Sequence, residues 1–415
     1  MSSFKETEIG RLPIDWKIFK LGDFAKTASG GTPSRSNSSF FQGNIAWVKS
    51  GELKDDIITK TEETISKDAL DNSSTKLFPE GTLLIALYGA TVGRTAILGI
   101  PAATNQAVCA IFPEKNIIHS SFLRYFLVHI RPHILKERYG GAQPNISQQI
   151  LQNLRIAAPP INEQRVIAAV LSKIQAAAET QGKIVAKLKE LKAATMAKLF
   201  REGLRREPLK STEIGEMPAS WGTARIGEWC EKPRYGYTQS ANRQPVGPRF
   251  LRITDINEFG VDWASVPYCQ CPKDILDEMR LASGDIVIAR IGATTGKSFL
   301  IKSCPESIFA SYLIRLRTKI GLDSAYLSYF LLSDAYWRQV DATKGNNLKG
   351  GMNASILSEL VLPRPPLEEQ RAIAAVLSKI QTVAEEHAKK KFILEQAFAS
   401  MLHLLMTGRV RINIG

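Results

Sequence analysis

Gly292-Ala-Thr-Thr-Gly296-Lys297-Ser298 has the residue types of a phosphate-binding loop: glycines that let backbone N–H groups close on an anion, and a lysine to neutralise it. Three features argue against nucleotide chemistry there. The loop is one residue short between its glycines. The residues after it, SFLIKS, read as a strand, whereas a nucleotide phosphate needs a helix N-terminus. A second copy, Gly89-Ala-Thr-Val-Gly93-Arg94-Thr95, has no lysine at all. A tight turn between two strands accounts for both copies. Its N–H groups, with Arg94 or Lys297 following, still suit a phosphate of a nucleic-acid backbone.

No other catalytic constellation emerges. Ala158-Pro159-Pro160-Ile161 and Arg364-Pro365-Pro366-Leu367 share a proline pair with the Asp/Asn-Pro-Pro-aromatic motif of adenine methyltransferases. Both lack the polar first residue and the closing ring that a flipped base requires. There is no Rossmann-type glycine loop and no HExxH, and the five histidines form no cluster with cysteine. Cys269-x-Cys271 has no second pair, so the five scattered cysteines read as reduced thiols of a cytoplasmic protein rather than metal ligands. The expectation is a chain with no catalytic residue, no metal and no cofactor of its own.

What remains is binding chemistry. One polar stretch, residues 29–39, offers Thr32, Ser34, Arg35 and Asn37, and Lys49 and Ser50 follow. Another, residues 234–243, offers Arg234, Tyr235, Tyr237, Thr238, Gln239 and Arg243, with Arg252 beyond it. The two Gly-Ala-Thr turns add Tyr88, Thr91 and Arg94 in one copy and Arg290, Thr294 and Lys297 in the other. A third pair of loops adds Gln143 and Asn145, and Asn346, Asn347 and Lys349. Arg, Asn and Gln can pair bidentately with base edges, while Ser, Thr and Lys fix phosphates. Of 415 residues, 54 are Lys or Arg against 40 Asp or Glu, a net charge of +14 that favours a polyanionic partner, nucleic acid first, and with these polar loops DNA.

The elements that must position these loops are written twice. TEIGRLPIDW (7–16) returns as TEIGEMPASW (212–221), and NEQRVIAAVLSKIQ (162–175) as EEQRAIAAVLSKIQ (368–381). GTLLIALYGATVGRT (81–95) is echoed by GDIVIARIGATTGKS (284–298). The offset of about 203 to 206 residues marks one tandem duplication, not a solenoid of short repeats. Each copy opens with short apolar runs bounded by Gly, Pro, Ser and Asn, which read as strands, as at 43–53, 82–89, 249–256 and 285–292. A short amphipathic helix follows, at 120–128 and 324–332.

After each proline pair the period changes to that of a long helix. Ile167, Leu171, Ile174, Leu188 and Leu191 form a stripe on the first; Ile373, Leu377, Ile380, Leu394 and Leu404 form one on the second. Gln181 and His387 interrupt the two stripes. Glu163 and Glu369 suit the first-turn dipole, and Gly203 and Gly408 suit C-terminal caps. At 1.5 Å per residue each helix is about 60 Å long, more than a domain of about 150 residues is wide. The expected partner of each is therefore the other. The expected fold is α/β (α+β): two like domains at 1–160 and 206–366, joined by long paired coiled-coil helices at 161–205 and 367–415, with pseudo-twofold symmetry.

The TEIGxxPxxW segment, the GATxG turn and PPxxEQRxIAAVLSKIQ, each present twice, resemble the specificity subunits of type I restriction–modification enzymes. The resemblance covers essentially the whole chain. It implies two target-recognition domains, each reading one half of a split DNA site, with the long helices as an antiparallel spacer. It implies as partners two modification subunits that bind S-adenosylmethionine, and ATP-driven restriction subunits. One departure stands out: Lys349-Gly-Gly-Met-Asn353 replaces the Gln143-Pro-Asn145-Ile-Ser147 of the first copy. Two other classes compete. A stand-alone nuclease or methyltransferase needs a carboxylate cluster or cofactor loop. A coiled-coil scaffold leaves the charge and the dissimilar loops unexplained.

Overall fold

Leu83, Leu84, Ile85 and Ala86 form one strand and face two different cores, which is why the run is apolar without alternation. In this computed structural model, Leu83 and Ile85 point to a layer of helices, and Leu84 and Ala86 to a second, smaller sheet. The structure describes residues 4–136, 145–257, 260–346 and 351–412. The chain divides into two units, Met1–Thr180 with Lys390–Gly415, and Gln181–Lys389. Each takes one globular domain and a stretch of both long helices.

In the first unit the five-stranded sheet runs in the order Ala25–Ser29, Val108–Pro113, Leu83–Ala86, Thr95–Leu98, Asp56–Ile58, antiparallel except for the last pair. The four-stranded sheet, Glu63–Ile65, Ile45–Val48, Ala102–Thr104, Leu77–Phe78, covers one side. The second unit repeats the plan. Arg234–Tyr235, Leu313–Leu316, Ile286–Ala289 and Ser298–Leu300 form its main sheet. There Ile286, Ile288, Ile314 and Leu316 face the helices, while Val287 and Leu313 face the core that holds Leu251, Val266 and Phe309.

Two expectations for the short helices change. The first runs on from Ser120 to Lys136 and carries Pro132 inside it. The second stops at Phe330, and Asp334–Asn346 begins anew, with the Ser333 hydroxyl oxygen accepting from the Tyr336 N–H (3.4 Å). A side-chain oxygen at this spacing satisfies a free N–H and so supports a fresh N-terminus.

The long helices span Ile161–Glu202 and Leu367–Met406. They run antiparallel: in the second unit Gln181 meets His387, Lys192 meets Gln381, and the Leu204 N–H meets Glu369. In the first, Leu402, Leu405 and Met406 share a core with Ile167 and Leu171. That core also contains Phe122, Tyr125 and Ile156 of the domain. The start of each long helix therefore belongs to its own domain's core and does not only pair with the other helix; Ile373 and Leu377 do the same in the second unit. Ile174, Leu188, Ile380, Leu394 and Leu404 are half-buried. Leu191 is 51% exposed and Lys192 takes the seam position instead, because the spacing from Leu188 there is four and not three.

Candidate nucleic-acid interface

The scaffold beneath the unlike loops of the two copies is built from the repeated motifs. In EQR, the glutamine is the staple. The Gln164 side-chain oxygen accepts from the His119 N–H (2.8 Å), and its amide donates to the carbonyls of Ile117 (3.0 Å) and Pro159 (2.9 Å). Gln370 repeats this with the Asp323 N–H and the Gly321 and Pro365 carbonyls. The glutamate beside it is a buried socket. Glu163 accepts from Arg411 (2.6 and 2.7 Å), which also holds Asp15; Glu369 accepts from the Leu204 N–H (3.0 Å) and the Trp221 indole (3.3 Å).

TEIGxxPxxW receives a helix end. Gly203 and Gly408 adopt φ values of 61° and 65°, favourable for glycine at a C-terminal cap. A Cβ on Gly203 would lie 3.0 Å from Pro218 and Trp221; one on Gly408 would lie 2.4 Å from Pro13. Arg165 and Arg371, beside the buried staples, stay exposed.

The Gly-Ala-Thr turns join antiparallel strands, with Gly93 and Gly296 at positive φ donating to Ala86 and Ala289. The strand at Ser298–Leu300 leaves no helix N-terminus for a nucleotide phosphate. Beside each turn the chain makes the same bond: Ile146 N–H to the Leu87 carbonyl (2.7 Å), and Met352 N–H to that of Arg290 (2.9 Å). Ser147 and Asn353 then cap equivalent short helices by accepting from Ile150 and Ile356. The departure at Met352-Asn353 thus preserves the structural work of Ile146-Ser147. Gln143, Asn347 and Lys349 lie outside the described residues, as does the side chain of Asn346, whose backbone ends the helix Asp334–Asn346.

In the first unit, the basic candidates Arg35, Lys49 and Arg94 each pair with a carboxylate. Arg35 lies over the rings of Phe41 (4.1 Å) and Trp47 (5.2 Å) and pairs with Glu63 (2.7 Å). Lys49 reaches Glu62 (2.8 Å) and Glu63 (3.0 Å), and Arg35 and Lys49 hold the Glu63 carboxyl below its ordinary pKa. The Trp47 indole donates to the Gly31 carbonyl, Thr32 bonds Gln106, Ser34 bonds Ser36, and Asn37 caps the turn Ser38–Phe41. Next along the chain, the Ser50 carbonyl accepts from the Thr91 hydroxyl (2.8 Å), and Tyr88 bridges to Asn145.

Arg94 pairs with Asp55 (2.6 Å), which also binds Arg131. Burial pushes the Asp55 carboxyl up, but Arg131, the Thr95 N–H and Arg94 together bring it below its ordinary value. The Asp55 carbonyl accepts from Gln175 of the long helix (2.7 Å), so this one residue ties the turn to the helix. Sequence reasoning missed Asp55 and Glu63; an acid near a basic loop was the available signal.

In the second unit, Arg234 pairs with Glu278, and Arg252 with Asp255 through two bonds (3.1 and 2.7 Å). Tyr237 is bridged to Ala310, while Thr238, Gln239, Arg243 and Lys297 are exposed and Thr294 is half-buried on the turn. Arg290 lies over Tyr235. Among the described residues no group of three or more His, Cys, Asp or Glu could hold a metal ion. Burial raises the Cys109, Cys230 and Cys269 thiols to about 12, so they stay protonated. No helix among the described residues is long and apolar enough to cross a membrane.

Two scaffolds built alike with unlike basic surfaces invite comparison with known proteins. The family profile of the type I restriction modification DNA specificity domain matches twice, at residues 13–190 and 218–395. The chain belongs to the type I restriction–modification specificity subunits. The MjaVIII specificity subunit of Methanocaldococcus jannaschii is 26% identical over 420 residues, covering 99% of this chain and 96% of the relative. The MjaIX subunit of the same organism is 29% identical over 436 residues, covering 99% and 97%. The crystal structure of an S subunit from M. genitalium shares the fold, with a TM-score of 0.65 at 13% identity over 97% of each chain. Specificity subunits recognise DNA and are not themselves the catalysts. The mixed α/β domains with two long helices are those of this family.

Proposed function

We propose that each recognition domain, 1–160 and 206–366, reads one half of a bipartite duplex target, and that the helical stretches 161–205 and 367–415 set the spacing between halves. The observation that carries this is a scaffold repeated bond for bond, at Gln164 and Gln370 and at Ile146 and Met352, under loops that differ. Matched modules at a fixed distance multiply their affinities for a target with two halves. The exposed surface around Arg165 and Arg371 occurs twice and seats two methyltransferase subunits in equivalent ways. Those subunits carry S-adenosylmethionine, and ATP-driven restriction subunits complete the complex in the cytoplasm.

Methylome sequencing of cells carrying loop exchanges tests this. Replacing residues 31–37 should change one half of the methylated sequence, and replacing 235–242 the other. An exchange that altered both halves would sink the modular reading. So would a purified complex with a single methyltransferase subunit per chain, for the docking part.

A further inference from the structure

Arg290 follows the strand Ile286–Ala289 and is half-buried, with its main chain fixed on both sides. Its N–H donates to the Tyr312 carbonyl (3.0 Å), and its carbonyl accepts from Met352. Its guanidinium lies 4.6 Å from the centre of the Tyr235 ring, and one nitrogen makes a long bond to the Ser311 carbonyl (3.4 Å). Tyr235 is itself held, its hydroxyl accepting from the Ala354 N–H (2.9 Å).

Arg290 differs from three other arginines of its domain. Arg234, Arg252 and Arg317 each pair with a carboxylate. Arg290 has no carboxylate partner among the described residues, and its buried Nε has no hydrogen-bond partner. The first copy places buried Leu87 at this point, with the same main-chain bond, so the scaffold does not require a cation there. A half-buried cation with no counter-charge is unfavourable until an acceptor arrives from outside.

The geometry points to Arg290 as a specificity-determining residue of the second recognition domain, reading a guanine through O6 and N7 while Tyr235 holds the plane of its fork. The inference rests on the proposed reading of DNA by that domain. A phosphate would also supply acceptors. A guanidinium held against a ring has fewer orientations than a free one, however, and its planar fork suits the coplanar pair of acceptors on a guanine edge.

The test uses the full complex with its methyltransferase subunits and the variant Arg290→Leu, the residue type the first copy tolerates. Methylome sequencing should show guanine preference relaxed at one position of one half-site, by roughly 5- to 150-fold, with the other half unchanged. Uniform weakening on all sequences, with a salt slope smaller by about one, would identify a phosphate contact and overturn the assignment. An unchanged motif would overturn it too. Arg290→Lys keeps the charge and loses the fork; full discrimination in that variant would equally refute a planar reader, and it carries the test if thermal melting shows Arg290→Leu misfolded. Absence of sequence-selective methylation by the wild-type complex would instead count against the broader reading of DNA.

Discussion

His129 titrates where no reading of the sequence would place it. Burial, with His403 and His133 nearby, lowers its pKa to about 4 from the ordinary 6.5. The ring sits 5.6 Å from that of His403 and 6.4 Å from Phe126. The unfolded chain therefore binds the proton more readily between those values. His129's contribution is fully present above about pH 6.5 and is lost as pH falls towards 4. Melting temperature should drop across that window in the wild type and drop less in His129→Leu; equal slopes would refute the assignment. The same scale shows what sequence hides. Arg35, Lys49 and Arg94 were legible as basic groups in polar loops, but their partners Glu63 and Asp55 lie 14 to 39 residues away along the chain. Glu163 reads as a helix-dipole residue until Arg411, 248 residues on, is seen beside it.

Among the elements, the long helices were the most legible, because an apolar stripe over 40 residues has one physical explanation. Their exact seam was less so: Leu191 faces solvent and Lys192 takes its place, with its Nζ over the Tyr329 ring, 5.3 Å from the centroid. The two interruptions of the stripes meet each other, His387 Nδ1 and Gln181 Oε1 lying 2.6 Å apart. A polar pair in a seam fixes register at some cost in stability. Replacing either by leucine leaves the other unpartnered and should cost about 1–3 kcal/mol, whereas the double replacement should lie within about 1 kcal/mol of the wild type. A double-mutant cycle by denaturant titration measures this; additive losses would show that the two side chains do not act as a pair. Leu377, fully buried, should cost about 2–5 kcal/mol as alanine in the same titration, while Leu191→Ala should stay within about 0.5 kcal/mol.

For the molecule as a whole, the repeat was legible in full and the target sequence was not, since the loops between the repeated motifs are unlike and no residue type among them names a base. If the helices are the ruler, their length is a variable of the target. Seven residues inserted in both, near Gln181 and His387, preserve the seam and add about 10 Å, or about three base pairs. Methylome sequencing should find the same half-sites with a longer gap between them. Activity retained at the original spacing would rule the helices out as the ruler.

The second long helix ends against Pro13 and Trp16 with no nearby peptide link to them, held by Gly408 and by Arg411 on Glu163 and Asp15. The first ends against Pro218 and Trp221 in the same way, with Leu204 bonded to Glu369, but there the backbone also runs on through exposed Arg205 and Arg206. One joint already holds without a covalent tie, so the tie at the other is dispensable once the chain has folded. Limited trypsin cleavage at Arg205 or Arg206 should give a protein that migrates as one species under native conditions and as two fragments when denatured. Separation of the fragments on cleavage alone would show that the backbone, and not the socket, holds that joint together.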